Sequence, residues 1–177
     1  MTFIYNFLLL ISQLVQPMVI FDFKNTADIT DWMIVDDVVM GGRSNGEFLR
    51  NKDGNGVFQG TVSVENNGGF SSVRYSVPKK NVEAYTKVKL HLKGDGKQYQ
   101  CRIKTKANDY YSYVASFNTT NEWTTIEIPF SSMYPSFRGQ TLDAPNYPGK
   151  QIEEISFLIG NKKAESFKLE ISSITFE

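Results

Sequence analysis

The sequence has little of the chemistry on which many enzymes and metal sites depend. Its only cysteine is Cys101, which excludes an internal disulfide, and its only histidine is His91, which lies among lysines. No second histidine or cysteine can complete a zinc site with them, so we expect neither a metal nor another cofactor. A lone cysteine within a strand is expected to be a small core residue rather than a nucleophile.

An excess of charge of either sign is also missing. The chain of 177 residues carries 19 basic and 19 acidic side chains, so its formal net charge is zero. This balance gives no support to bulk attraction to nucleic acid or to anionic lipid. The hydrophobic share of 41% and the charged share of 21% are those of a globular domain, not of a disordered chain.

No apolar run is long enough to cross a membrane. The most apolar segment, residues 3–11 (FIYNFLLLI), is too short. It has the length of a signal-peptide core, but the first basic side chain is Lys24 and no convincing cleavage site follows. Residues 1–17 are therefore either a degenerate export signal or membrane-proximal segment, or an extension that packs on a single domain at 18–177. No mitochondrial presequence is evident. A stand-alone domain with an apolar N-terminus is more typical of bacteria, so we expect a bacterial-type protein that is cytoplasmic or exported through a degenerate N-terminal signal.

Helical periodicity is nearly absent, whereas apolar and polar side chains alternate in several segments. Alternation is clear in residues 58–64, 87–93, 98–104 and 167–171. This period of two indicates strands with one buried and one wet face. Residues 94–96 (GDG) predict a tight hairpin between two of these strands. Together the pattern predicts an all-β fold, a two-sheet sandwich in one domain.

A first glycine-rich loop spans residues 36–46 (DDVVMGGRSNG). Adjacent glycines allow positive φ and close backbone approach, and two carboxylates and an arginine flank them. The loop is either a ligand-contacting loop or cation site, or a turn whose aspartates cap backbone amides. It lacks the spacing of a dinucleotide-binding fingerprint. Its candidate residues are Asp36, Asp37, Met40, Gly41, Gly42, Arg43 and Ser44.

A second glycine-rich loop spans residues 65–74 (ENNGGFSSVR). Its Asn-Gly pair is typical of a tight turn. Arg74 lies just inside the next strand, and if its side chain faces inward the guanidinium must be paired. Asp36 or Asp37 would be a plausible partner, and such an ion pair would link the two loops. The candidate residues here and in a later loop are Asn66, Asn67, Gly68, Gly69, Arg74 and Arg138.

Basic side chains gather on the polar faces of the strands at 87–93 and 98–106. This is either a solvated sheet face or a patch for an acidic partner or anionic glycan. Tyr111 and Tyr113 follow, and alternation places both on one face, where core packing is expected. The basic residues are Lys87, Lys89, Lys93, Arg102, Lys104 and Lys106.

A catalytic role has little support. No nucleophile-elbow motif accompanies His91. A glycosidase needs two facing carboxylates, and although Asp36, Asp37 and Glu65 are candidates, nothing in the sequence singles them out. We therefore predict a protein that is not an enzyme.

Together, the two glycine loops carry a family resemblance. Residues 32–46 (WMIVDDVVMGGRSNG) resemble the signature of the complex I intermediate-associated protein 30 family, and residues 63–74 (SVENNGGFSSVR) continue the match. Asp36 departs from the pattern, which has asparagine there. The resemblance covers roughly residues 20–177, with further matches at residues 58–60, Trp123, residues 128–130, residues 137–139 and residues 167–171.

The resemblance implies a galactose-binding-like jelly-roll sandwich and a non-enzymatic role. Mitochondrial members of the family act as assembly factors or chaperones for respiratory complex I, and the fold is shared with carbohydrate-binding modules. The expected function is therefore binding of a protein partner, with respiratory-complex subunits as candidates, in assembly of a membrane-bound complex. The alternatives are a carbohydrate-binding module and, third, a glycoside hydrolase.

Overall fold

The computed structural model describes residues 15–177, which form thirteen strands and three short 3₁₀ turns. The turns are Asp37–Met40, Glu65–Asn67 and Phe130–Ser132. Nothing in this part of the chain is a helix of the length and apolarity that a membrane crossing requires. The strands are β1 (Met18–Asp22), β2 (Trp32–Asp36), β3 (Asn45–Arg50), β4 (Gly56–Val62), β5 (Ser71–Asn81), β6 (Lys87–Lys93), β7 (Gln98–Lys104), β8 (Ser112–Asn118), β9 (Thr124–Pro129), β10 (Tyr134–Phe137), β11 (Gln140–Thr141), β12 (Gln151–Ile159) and β13 (Glu165–Phe176).

The strands form two antiparallel sheets packed face to face, which confirms the predicted all-β sandwich. One sheet has the order β3-β4-β13-β6-β9, with β1 also paired to β13. The other has the order β11-β10-β8-β7-β12-β5-β2. Of the proposed N-terminal segment 1–17, all but residues 15–17 lies outside the described residues.

The core lies between the sheets, because each strand turns its apolar positions inward. Leu90, Leu92 and Ile103, which alternate with charged side chains in the sequence, have no exposed surface. Cys101 is also fully buried, as expected of a core residue, and burial raises the pKa of its thiol to about 12. Tyr113 is buried in the core as predicted.

The predicted hairpin at residues 94–96 is wrong. β6 pairs with β9 and β13, whereas β7 pairs with β8 and β12, so this segment crosses from one sheet to the other. Asp95 joins the two sheets at this crossover. Its carboxylate accepts hydrogen bonds from the Tyr99 hydroxyl on β7 at 3.1 Å and from the Lys168 amide on β13 at 2.9 Å. Alternation is the same for two paired strands and for two that face each other across a core.

This crossing divides the predicted basic patch between opposite faces of the sandwich. The lysines of β6 lie on the outer face of the six-stranded sheet, where Lys87 pairs with Glu127 and Lys89 with Glu177. Arg102 and Lys104, on β7, lie on the outer face of the seven-stranded sheet.

Candidate functional site

Both glycine loops cross between the sheets, and they do so side by side. The first leads from β2 in the seven-stranded sheet to β3 in the six-stranded sheet, and the second leads back from β4 to β5. Register brings their ends together, because Asp36 lies opposite Ser71 and Asn45 lies opposite Thr61. The Asn-Gly turn in the second loop is thus part of a crossover between sheets, not of a hairpin.

Asp37 joins the two loops. Its side chain is fully buried. One carboxylate oxygen accepts the Ser44 amide at 2.9 Å, and the other accepts the Ser44 hydroxyl at 2.5 Å and the Gly69 amide at 2.6 Å. The Phe70 amide donates to the second oxygen at 3.2 Å. Burial alone would raise the pKa of Asp37, but the hydrogen bonds from Ser44, Gly69 and Phe70 outweigh it and hold the pKa below its usual value.

Close packing around this carboxylate explains two of the glycines. A Cβ on Gly42 would overlap the Asp37 carboxylate, and a Cβ on Gly68 would lie 2.5 Å from its Oδ2 atom. Gly41 is different, because its φ of +89° requires glycine while open space surrounds it. The adjacent glycines of the first loop therefore have separate causes, one steric and one conformational.

The neighbouring polar residues also hold the loops. The Asp36 carboxylate accepts the Gly46 amide at 2.9 Å and the Ser71 hydroxyl at 2.5 Å. Arg43 and Glu65 form an exposed ion pair at 2.9 Å, and the Asn66 side-chain amide donates to the carbonyl of Gly41. For Asp36 and Asp37 the geometry favours the capping alternative over direct ligand contact.

The predicted ion pair between Arg74 and an aspartate is wrong. Within residues 15–177 no ion pair joins Arg74 to Asp36 or Asp37. Val73 and Val77 occupy the inward positions of β5, so alternation sends Arg74 to the outer face. The loops are joined by a carboxylate that accepts backbone amides, not by a guanidinium.

Arg74 lies instead in a groove on the outer face of the seven-stranded sheet. The groove has a volume of about 930 Å³ and crosses β5, β12, β7, β8 and β10. Small side chains form its floor, since the serines at 72, 112, 136 and 156 face outward between longer neighbours. Its polar and charged lining also includes Gln100, Arg102, Lys104, Glu154 and Lys162.

One row of residues crosses this floor in register. Arg74 on β5 lies opposite Ser156 on β12, which in turn lies opposite Arg102 on β7. Val114 and Tyr134 extend the row. Burial, together with the nearby charge of Arg74, lowers the pKa of Arg102 from its usual value. The only side-chain hydrogen bond of Arg102 within the described chain is donated to Gln100, at 3.1 Å.

The two rims of the groove differ in character. On one side lie Met40, in the first glycine loop, and Val64, which directly precedes the second; they are 57% and 47% exposed. On the other side Tyr110 packs edge-on against Phe137, with ring centroids 5.3 Å apart. The Arg138 guanidinium lies 5.2 Å from the centroid of the Phe137 ring. One rim is therefore aliphatic and the other is aromatic with a cation.

The structure brings about half of the sequence-predicted residues to the groove. Those lining it are Met40, Asn67, Gly68, Gly69, Arg74 and Arg138. Those outside it, which organise the loops or lie beside them, are Asp36, Asp37, Gly41, Gly42, Arg43, Ser44 and Asn66. Sequence reasoning missed Ser156 and Tyr134, and it placed Arg102 in a different patch. The serines that recur at outward positions of β5 and β12, Ser72 and Ser156, were the available signal.

The other face of the sandwich has a smaller hollow of about 460 Å³. His91 lies there on an exposed surface, as the sequence indicated, and its ring stacks on Trp123 with centroids 5.3 Å apart. Across residues 15–177, no three His, Cys, Asp or Glu side chains cluster in a way that could hold a metal ion.

These observations define the class of protein as a jelly-roll β-sandwich with a groove across the outer face of one sheet. The chain is similar in fold to a family 11 carbohydrate-binding module from Clostridium thermocellum, solved in complex with a β-1,3-1,4-mixed-linked tetrasaccharide, with a TM-score of 0.64, 20% identity and coverage of 90% of this chain and 94% of that one. An agarase aligns with a TM-score of 0.62 and 11% identity over 91% of this chain and 24% of its own.

The family follows from the sequence comparison. Residues 21–171 match the model of the complex I intermediate-associated protein 30 family, and the chain belongs to that family. Proteins named "Complex I intermediate-associated protein 30, mitochondrial" from Drosophila melanogaster and Mus musculus are each 25% identical to it over 90% of this chain. The chain spans only 62% and 56% of the lengths of these two relatives.

Proposed function

We propose that this chain is a non-catalytic binding protein that takes a segment of a protein partner into the groove of the seven-stranded sheet. The observation that carries the proposal is the groove itself, with an exposed aliphatic rim on loops that a buried aspartate holds in place. Family membership supports a role in assembly of a membrane-bound respiratory complex, and this role is part of the proposal.

The aliphatic rim is the feature that favours a protein partner. Met40 and Val64 expose about half of their surface, and the neighbouring Val38 and Val39 are 59% and 75% exposed. Clustered exposed aliphatic side chains are typical of protein interaction sites. Because Asp37 fixes the loop that carries three of them, little conformational entropy is lost when a partner binds.

The carboxylates support a non-catalytic role. Asp36 and Asp37 are committed to hydrogen bonds within the loops, and Glu65 is paired with Arg43. Glu154 is the single carboxylate among the residues that line the groove. Hydrolysis of a glycosidic bond by the usual mechanism needs two facing carboxylates, which this lining does not provide.

The test is a crosslinking pull-down with matched variants. The tagged chain is incubated with detergent-solubilised membranes of its source, and crosslinked proteins are identified by mass spectrometry. Val64→Asp on the rim should abolish recovery of the partner. Val19→Asp is the control, because Val19 is 54% exposed but lies on β1 of the other sheet. Recovery of no specific partner, or equal loss in both variants, would overturn the proposal.

A second candidate function is carbohydrate binding, which the other rim favours. Tyr110 is 67% exposed and stands beside Phe137, and polar side chains of the floor lie within the same groove. Exposed aromatic rings beside hydrogen-bonding groups suit sugar rings. A glycan array decides between the two functions: specific hits that Tyr110→Ala removes support carbohydrate, and their absence leaves the protein partner as the function.

A further inference from the structure

The centre of the groove floor carries two arginines with a small residue between them. Arg74, Ser156 and Arg102 occupy adjacent strands in one register row. Neighbouring strands are roughly 4.8 Å apart, so the two arginine backbones are about 10 Å from each other. Both arginines line the groove, and the serine between them has a much shorter side chain than either.

In the described part of the chain neither of these arginines has a carboxylate in ion-pair contact. Among the described residues, the one acidic group of the lining is Glu154, in the next row opposite Lys104; its charge favours charged Arg102, but burial and Arg74 outweigh it. The neighbouring, partly buried positive charges of Arg74 and Arg102 destabilise the unbound protein. An anion bound between them would therefore remove an unfavourable interaction.

The floor also offers free hydroxyl groups. Ser112, Ser136 and Ser156 are 7%, 5% and 3% exposed, and each lines the groove. No side-chain hydrogen bond within residues 15–177 involves their hydroxyl oxygens. A ligand that lies on the floor can therefore be held by hydroxyl donors as well as by the arginine forks.

We infer that the Arg74–Ser156–Arg102 row binds a side-chain carboxylate of an acidic segment of the protein partner. The inference rests on the proposed function, since it names the chemistry of the segment that enters the groove. Arginine is suited to this role because its planar fork matches a carboxylate with two parallel hydrogen bonds. The aliphatic rim formed by Met40 and Val64 accepts apolar residues beside the acidic one, which a polysaccharide does not supply.

The test measures fluorescence anisotropy of the full chain with short labelled peptides. One peptide alternates leucine and glutamate, and its matched partner alternates leucine and glutamine. We expect the glutamate peptide to bind and the glutamine peptide to bind about tenfold more weakly or worse. In a third arm of the experiment, polygalacturonate, a polymer of uronic acids, is tested for binding and added as a competitor of the peptide.

The variants distinguish binding at the arginines of the groove floor from a general attraction between positive side chains and the peptide. Arg74→Gln and Arg102→Gln should each weaken binding of the glutamate peptide by about tenfold or more. Arg102→Lys, which keeps the charge and loses the fork, should recover only part of the affinity. Lys93→Gln removes one positive charge from the outer face of the six-stranded sheet, away from the groove and its rims, and should leave binding unchanged.

Each other outcome has a defined meaning. Equal binding of both peptides, equal loss in Lys93→Gln, or no binding of the glutamate peptide overturns the inference. Polygalacturonate that binds where the peptide does not would assign the anion site to a glycan and overturn the acidic segment. A partner that the Arg74→Gln/Arg102→Gln variant still recovers in the pull-down overturns the inference and leaves the proposed function standing. Recovery of no partner by the unmodified chain defeats the proposed function.

Discussion

The Asp37 carboxylate accepts a hydrogen bond of 2.6 Å from the backbone amide of Gly69, 32 residues further along the chain. This contact makes one structural unit of two loops that each resemble an ordinary turn in the sequence. The glycines beside it, Gly42 and Gly68, leave the space that the carboxylate occupies. Because the unit forms one rim of the groove, its rigidity bears directly on binding.

The first prediction concerns the charge of this carboxylate. Asp37→Asn keeps the shape of the side chain but replaces an oxygen with an amide group, which turns a donor toward backbone amides that need an acceptor. We expect a loss of about 3 kcal/mol in the free energy of unfolding, since buried hydrogen bonds to a charged group are lost. Urea unfolding measures it. Asp28→Asn, at an exposed aspartate that within residues 15–177 accepts hydrogen bonds only from Thr30, should cost far less. Equal costs would contradict the central role of Asp37.

The second prediction is the pH dependence of that stability. The pKa of Asp37 is held below its usual value in the folded state, so its ionised form is favoured by folding. Its contribution is therefore complete above the pKa of the unfolded chain, about 3.9, and is lost as the pH falls through the folded-state value. The stability difference between the unmodified chain and Asp37→Asn should shrink when urea unfolding is repeated from pH 7 toward pH 3. A constant difference would show that charge is not what the loops require.

The third prediction separates the two adjacent glycines. Gly42→Ala drives a methyl group into the Asp37 carboxylate and should cost about 3 kcal/mol, because neither group can move without breaking the loop contacts. Gly41→Ala meets open space and should cost about 1 kcal/mol, the strain of a positive φ. Thermal unfolding of the two variants tests the order. If Gly41→Ala is the more damaging change, the steric argument is wrong.

The sequence predicted the sandwich well because alternation reports directly which side chains are buried. It predicted the wrong neighbour for β6, since Leu92 and Tyr99 need a core but do not specify whether their strands pair or face each other. The family resemblance was found from the order of the two glycine motifs. A link between the loops through Asp36 or Asp37 was expected, but with Arg74 as the partner; the true donors, the amides of Gly69 and Phe70, were missed because a backbone amide leaves no mark in the sequence.

The candidate site was only partly predictable for a similar reason. Alternation on β5 places Val73 and Val77 inward, so the outward direction of Arg74 was readable from the sequence. What was not readable is that β12 lies between β5 and β7, which is what brings Arg74 and Arg102 into one row. Strand order is set by long-range packing, and a groove floor made from several strands exists only once that order is fixed.

The fourth prediction is that Arg102 costs stability in the unbound protein. Burial and the charge of Arg74 lower the pKa of Arg102, which means that the folded state disfavours its charged form. Arg102→Met keeps the length and removes the charge, so it should raise the free energy of unfolding by about 1 kcal/mol in low salt. Arg50→Met is the matched control and should be destabilising, because Arg50 donates to the Phe23 carbonyl at 3.2 and 3.1 Å. A large loss of stability in Arg102→Met would mean that this arginine supports the fold. A gain, combined with weaker peptide binding, identifies an arginine that serves a ligand.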